Sequence, residues 1–187
     1  MKKAYVFLAD GFEEIEGLTV VDVLRRAGAE VEMVSVMDRK EITGAHGIKV
    51  EADRMIEEAG EADLYVLPGG MPGTINLGAD ETVDKVIREF AAGGKLVAAI
   101  CAAPSVLGQA GLLNGKHATS YPGFEPKLTG AVTSEDPVVQ DGNVITSRGM
   151  GTAIDFGLAI VDCLTDFDEE VVEHVKKGIV YRNFEEV

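Results

Sequence analysis

Cys101 ends an apolar run, Lys95-Leu96-Val97-Ala98-Ala99-Ile100-Cys101, and is followed by Ala102-Ala103-Pro104-Ser105. This pattern predicts a buried strand, a sharp turn among small residues, and a helix with proline in its first turn. A thiol at such a junction lies near backbone N–H groups without helical partners. The positive helix end there favours the thiolate. Ala99, Ala102 and Ala103 supply the small neighbours that a nucleophile elbow requires. Packing is the competing account, because cysteine is among the most buried residue types and often ends a core strand.

Two other segments bear on that choice. Pro68-Gly69-Gly70 follows the apolar residues Leu64 to Leu67, so its backbone N–H groups can face a pocket with no side chain intervening. Alone, the glycine pair is an ordinary turn. Beside a cysteine elbow it forms an oxyanion hole together with the Ala102 N–H. Glu13, Glu14 and Glu16 open a helix, where its dipole accounts for Glu13 and Glu14. Glu16, next to Gly17 and to Ile15, which is read as inward-facing, points toward the strand-end crevice. A buried carboxyl beside a thiolate has a raised pKa and can donate a hydrogen bond or shuttle a proton.

The three histidines offer less. His174 lies on a helix rich in Glu and Lys, His117 starts a strand or turn, and His46 sits in the glycine-rich stretch Gly44 to Gly47. No pair has metal-ligand spacing, so neither a metal nor a cofactor is expected. The two cysteines, Cys101 and Cys163, are far apart, which fits a reducing cytosolic location without a structural disulfide.

The elements that must position these residues alternate along the chain. Strands are read at Ala4–Ala9, Glu30–Val36, Ile48–Val50, Leu64–Leu67 and the run before Cys101. Helices are read from Ile15 to about Ala27, Glu81–Ala92, Thr152–Leu164 and Glu169–Lys177. Val132–Ser134 and a hairpin around Asp141-Gly142 add later strands. One α/β domain over 1–187 follows, with a largely parallel sheet and helices on both faces. Ligands of such sheets lie at the carboxyl ends of the strands. The formal net charge of -15 disfavours nucleic acid and anionic membranes as partners. No apolar stretch reaches membrane-spanning length, and the short run after Met1-Lys2-Lys3 is too short for a signal peptide.

Five strings together resemble the ThiJ/PfpI family, in the branch that contains the parkinsonism-associated deglycase. They are Leu8 to Glu16, Val20 to Gly28, Val66 to Gly70, Ala98 to Pro104 and Thr146 to Thr152. They cover nearly the whole chain in the family's order. The resemblance implies a flavodoxin-like sandwich and a homodimer. It implies Cys101 as nucleophile, Glu16 as its protonated partner, and Gly70 and Ala102 as oxyanion donors. Gly69, Asp22, Arg26, His46 and Arg148 are candidate pocket or interface residues. The family commonly places a histidine before a proline close to the cysteine. Here Tyr121 precedes Pro122, and a phenol is a poor base at neutral pH. Asp22, which would orient that histidine, then has no relay to serve.

The expected activity is a cofactor-independent glyoxalase or deglycase acting on methylglyoxal, glyoxal or their adducts. The alternative is an oxidative-stress sensor or redox-regulated chaperone built on the same thiol. A cysteine peptidase or amidase is disfavoured, because Ala102 and Tyr121 stand where histidines would serve such an enzyme.

Overall fold

Side chains along the central strands alternate between two cores. Ala4, Val6 and Leu8 enter one core, and Tyr5, Phe7 and Ala9 enter the other. The same division separates Leu64 and Val66 from Tyr65 and Leu67, and Ala98 and Ile100 from Val97 and Ala99. Strands apolar on both faces must be covered on both faces, which requires helices above and below a parallel sheet.

The computed structural model describes residues 2–182. In order it contains β1 (Lys3–Leu8), α1 (Glu14–Arg26), β2 (Glu30–Ser35), β3 (Glu41–Thr43), β4 (Lys49–Glu51) and β5 (Arg54–Met55). There follow β6 (Leu64–Leu67), α2 (Gly73–Ala79), α3 (Glu81–Ala92), β7 (Leu96–Ile100), α4 (Pro104–Gln109) and β8 (His117–Ala118). The last are β9 (Val132–Thr133), β10 (Val138–Asp141), β11 (Val144–Ser147), α5 (Ala153–Leu164) and α6 (Glu169–Gly178). Seven strands form the main sheet in the order β10-β11-β7-β6-β1-β2-β5. All neighbours are parallel except the β10–β11 hairpin. Helices α1, α5 and α6 cover one face, and α2, α3 and α4 the other. This is a flavodoxin-like α/β sandwich.

The chain moves outward from β1 to β2, then returns to the opposite side of β1 as β6. Strand order therefore reverses between β1 and β6, where such sheets open a crevice at their carboxyl ends. The segments entering it are the β1–α1 turn, Pro68-Gly69-Gly70 after β6, Cys101 after β7, and Arg148-Gly149 after β11.

Three local readings change. The strand read at Ile48–Val50 is present as β4 and gains a partner, β3, in an antiparallel hairpin outside the main sheet. Helix α2 is an additional element, because its sequence Gly-Thr-Ile-Asn-Leu-Gly-Ala carries little helical periodicity and forms around Leu77, buried against the core. Ile15 is 47% exposed rather than inward, while Glu14 and Glu16 are buried. The first turn of α1 projects beyond the sheet into the crevice, so its inner side meets polar backbone instead of apolar strand.

Candidate active site

The Cys101 backbone has φ +65°, in the left-handed region. A non-glycine residue held there costs of order 1–3 kcal/mol. Two main-chain bonds hold it: the Cys101 N–H donates to the Ser147 carbonyl at 3.0 Å, and its carbonyl accepts from the Tyr121 N–H at 2.8 Å. Ala99, Ala102 and Ala103 around the turn are all buried. The elbow read from the sequence is therefore present, with α4 starting at Pro104.

Glu16 lies in the first turn of α1 and is 1% exposed. Its Oε2 accepts from the Gly69 N–H at 2.9 Å, and its carboxyl reaches the Cys101 sulfur. Gly69 is wedged between the two groups. A Cβ there would fall 2.6 Å from the Cys101 Cβ and 2.7 Å from Glu16 Oε2, so any side chain would part the pair. Gly70 has φ +89°, and a Cβ there would fall 2.4 Å from the Glu13 nitrogen. The Gly70 and Ala102 N–H groups both reach the Cys101 sulfur.

Burial pushes Glu16 up to about 7, and nearby Glu13 adds to the rise. The Cys101 contact and the Gly69 N–H pull the other way. Burial thus outweighs the helix dipole, which alone would favour the carboxylate. A rise from 4.5 to about 7 corresponds to on the order of 3 kcal/mol. The folded state keeps this proton at a higher pH than the unfolded chain does. Stability contributed by Glu16 therefore falls as pH rises from 4.5 toward 7.

Burial, then the charge of Glu16, push the Cys101 thiol up to about 12, against the lowering effect of the Gly70 and Ala102 N–H groups. The helix-end argument from sequence captures those N–H groups but not the burial, which reverses the net direction while Glu16 is ionised. The two groups titrate as a pair: one proton leaves near 7, and the second is shared between oxygen and sulfur. If Glu16 retains it, the sulfur is a thiolate receiving hydrogen bonds from the carboxyl and two N–H groups. Cys163 is a useful contrast. Burial, then Asp162, push it up to about 11, and it lies on α5 without a comparable donor set.

The other candidates divide. Gly149, which the local sequence did not single out, lies in the crevice: a Cβ there would be 3.5 Å from the Tyr121 ring and 3.9 Å from Glu16 Oε1. Its position directly after β11 is the signal that could have found it. Tyr121 is half exposed, packs edge-on against Phe124 at 6.5 Å, and contributes its backbone N–H to Cys101. Arg26 and Asp22 pair with each other at 2.7 Å on the exposed side of α1, along a groove that includes Leu18, Ile154 and Ile179. Arg148 points to Glu135, whose carbonyl accepts its Nη1 at 3.0 Å.

His46 docks on α1 instead of Cys101. Its Nδ1 is 3.0 Å from Glu14 Oε2 and 3.4 Å from Glu13 Oε2, and its backbone N–H donates to Glu14 Oε1 at 2.8 Å. Hydrogen bonding to Glu14, then the charges of Glu13 and Glu14, raise the His46 pKa. Although burial opposes it, Glu14 is lowered by hydrogen bonds from its own N–H, from His46 and from Ile48. The three ligand atoms lie within 4.8 Å of one another, close enough for a metal. His46 and two backbone N–H groups already satisfy Glu14, which ties the β3–β4 hairpin to α1.

Where the shared proton resides is measurable. Thiolate ultraviolet absorbance in the wild-type protein should rise with an apparent midpoint at or below 7. In Glu16→Gln the midpoint should rise by about one unit, because an amide donates less strongly to sulfur. A wild-type midpoint near 12 that falls in Glu16→Gln would instead place the proton on sulfur.

With the geometry in hand, the chain can be compared with known proteins. It is 39% identical over 183 residues to Protein dj-1beta of Drosophila melanogaster, covering 96% of this chain and 97% of that one. It is 36% identical over 154 residues to a Pyrococcus abyssi protein named deglycase, covering 80% and 91%. The structure of oxidized Toxoplasma gondii DJ-1 superimposes with a TM-score of 0.92 at 34% identity, covering 97% of this chain and 100% of that one. Residues 2–163 match the model of the DJ-1/PfpI family, the family implied by the ordered strings, and the chain belongs to it.

Proposed function

We propose that this protein is a cofactor-independent glyoxalase or deglycase whose nucleophile is Cys101 and whose acid and base is Glu16. The observation that carries the reading is the Glu16 carboxyl, 1% exposed, bound to the Gly69 N–H and reaching the sulfur. Being pushed up to about 7, it can both give and take a proton near neutral pH.

The Cys101 thiolate adds to the aldehyde carbon of methylglyoxal. A C–S bond forms, and the carbonyl oxygen takes a proton from Glu16 beside the Gly70 and Ala102 N–H groups. The Glu16 carboxylate then removes the hydrogen from that carbon as a proton and delivers it to the neighbouring carbon through an enediol, while the hydroxyl proton passes to the neighbouring oxygen. A lactoyl thioester remains, which water cleaves to lactate and the free thiol. Methylglyoxal and water give lactate, with no external oxidant or reductant. Glyoxal gives glycolate by the same steps, and adducts of either with amines or thiols present the same carbon. The name of the Pyrococcus relative supports adducts as substrates. Lactate formation should fall at least 10³-fold in Cys101→Ala and at least 10²-fold in Glu16→Gln. Unchanged rates in both variants would remove the mechanism.

The donor set also favours a second reading, an oxidative-stress sensor or redox-regulated chaperone. Two equivalents of peroxide would convert the thiolate to a sulfinate and release two waters, and the Glu16 carboxyl would hydrogen bond the new oxygen. Intact mass after mild peroxide should show two added oxygens at Cys101. A thiol that stays unmodified while Cys163 oxidises would dismiss the sensor.

We also propose a homodimer in a reducing, cytosolic compartment. Ile15 and Leu18 share a side of α1 with Asp22 and Arg26, and exposed Ile48 and Ile154 extend the apolar surface. Among the described residues, no helix is long and apolar enough to cross a membrane. Sedimentation should give twice the chain mass, with Ile154→Glu shifting it toward monomer. A monomeric wild type would rule the dimer out.

A further inference from the structure

A groove of about 600 Å³ between α2 and α4 has no part in the chemistry described above. Three of its wall residues are linked to residues of the cysteine crevice. Met71 in its wall follows Gly70, which donates to the sulfur. Ser105 in its wall donates from Oγ to the Ala102 carbonyl at 2.6 Å. Phe124 packs edge-on against Tyr121, whose N–H binds the Cys101 carbonyl. A substrate larger than methylglyoxal, with its reacting carbon at Cys101, has this groove as an adjoining space for the rest of its chain.

One wall residue stands out by its charge. Lys127 is the single ionisable residue on the walls, in a chain of net charge -15. Its Nζ lies 4.7 Å from the centre of the Phe124 ring, and it has no carboxylate partner among the described residues. Met71 and Ile75 are 43% and 61% exposed, an apolar stretch on the same walls.

We propose that this groove is a subsite for the tail of an amine-borne carbonyl adduct. Lys127 would receive a tail carboxylate, and Met71, Ile75 and Phe124 would pack on its carbons. The proposal rests on the carbonyl-adduct reading and adds a selectivity to it: carboxylate-bearing tails are favoured over neutral ones of the same shape.

The probes are two stable, product-like amides with amidated C-termini, lactoyl-Ala-Glu-amide and its neutral counterpart lactoyl-Ala-Gln-amide, titrated into wild-type protein by NMR. The acidic dipeptide should bind about five-fold tighter, with shifts at the Thr74, Gln109 and Lys127 amides. In Lys127→Gln the ratio should fall to about one. Equal affinities in the wild type, a ratio unchanged in Lys127→Gln, or no saturable shift at these amides would each overturn the subsite. The lactate assay reads the chemistry separately. A protein that discriminates the dipeptides but makes no lactate keeps the groove and loses the reaction; the converse keeps the reaction and loses the groove.

Discussion

The structure around Cys101 depends on one proton shared between a buried carboxyl and a buried thiol. Neither group can ionise freely, because burial disfavours each charge and two negative charges in contact disfavour each other. The pair therefore carries a single negative charge above neutral pH, and the surrounding backbone decides which atom bears it. The Gly69 N–H favours charge on oxygen, while the Gly70 and Ala102 N–H groups favour charge on sulfur. Three donors from two strand ends thus set the balance. Each comes from main chain fixed by the sheet, so little reorganisation is needed when charge moves.

This arrangement explains why the backbone nearby is so constrained. Gly69 has contacts on either side that leave no room for a Cβ, and Gly70 has a positive φ with backbone of the β1–α1 turn against it. Cys101 itself occupies the left-handed region without being glycine. The cost of that conformation is offset by pairing with Ser147 and Tyr121, residues from β11 and the loop after β8. The sulfur is consequently positioned by four chain segments at once. A loop alone could not hold it against thermal motion with such small residues.

Much of this was legible in the sequence because its causes are local. Alternation and apolar runs marked the strands, the alanines marked the elbow, and an acid beside a glycine marked Glu16. What escaped has nonlocal causes. Ile15 reads as a core residue by helical spacing, yet α1 overhangs the sheet at its first turn and turns Ile15 outward. Of the β3–β4 hairpin the sequence shows only the second strand, because β3 is three residues long and is held partly by the β1–α1 turn, with Gly11 N–H donating to the Thr43 carbonyl at 2.8 Å. Arg26 and His46, candidates for the pocket or an interface, pair with the carboxylates of Asp22 and Glu14, partners that a linear reading does not reveal. The burial that opposes the Cys101 thiolate is nonlocal as well: a helix end is visible in the sequence, and desolvation by other strands is not.

The absence of an imidazole at the sulfur has a chemical consequence. Among the described residues His46 is held by Glu13 and Glu14, and His117 and His174 are exposed on other elements. Tyr121 leaves only its backbone N–H at Cys101. In the proposed reaction, proton traffic at the thiolate would therefore run through Glu16. Amide cleavage asks one group to protonate a departing amine and then to activate water, steps usually served by a mobile imidazole. Rearrangement of a hemithioacetal asks only that a proton leave one carbon and return to its neighbour, within reach of a single fixed carboxyl poised near neutrality. The same fixed carboxyl can hydrogen bond a sulfinate oxygen. Under the proposed reading, immobility of the acid, enforced by Gly69 and by burial in the β1–β6 crevice, favours small electrophiles that approach the sulfur over peptide hydrolysis.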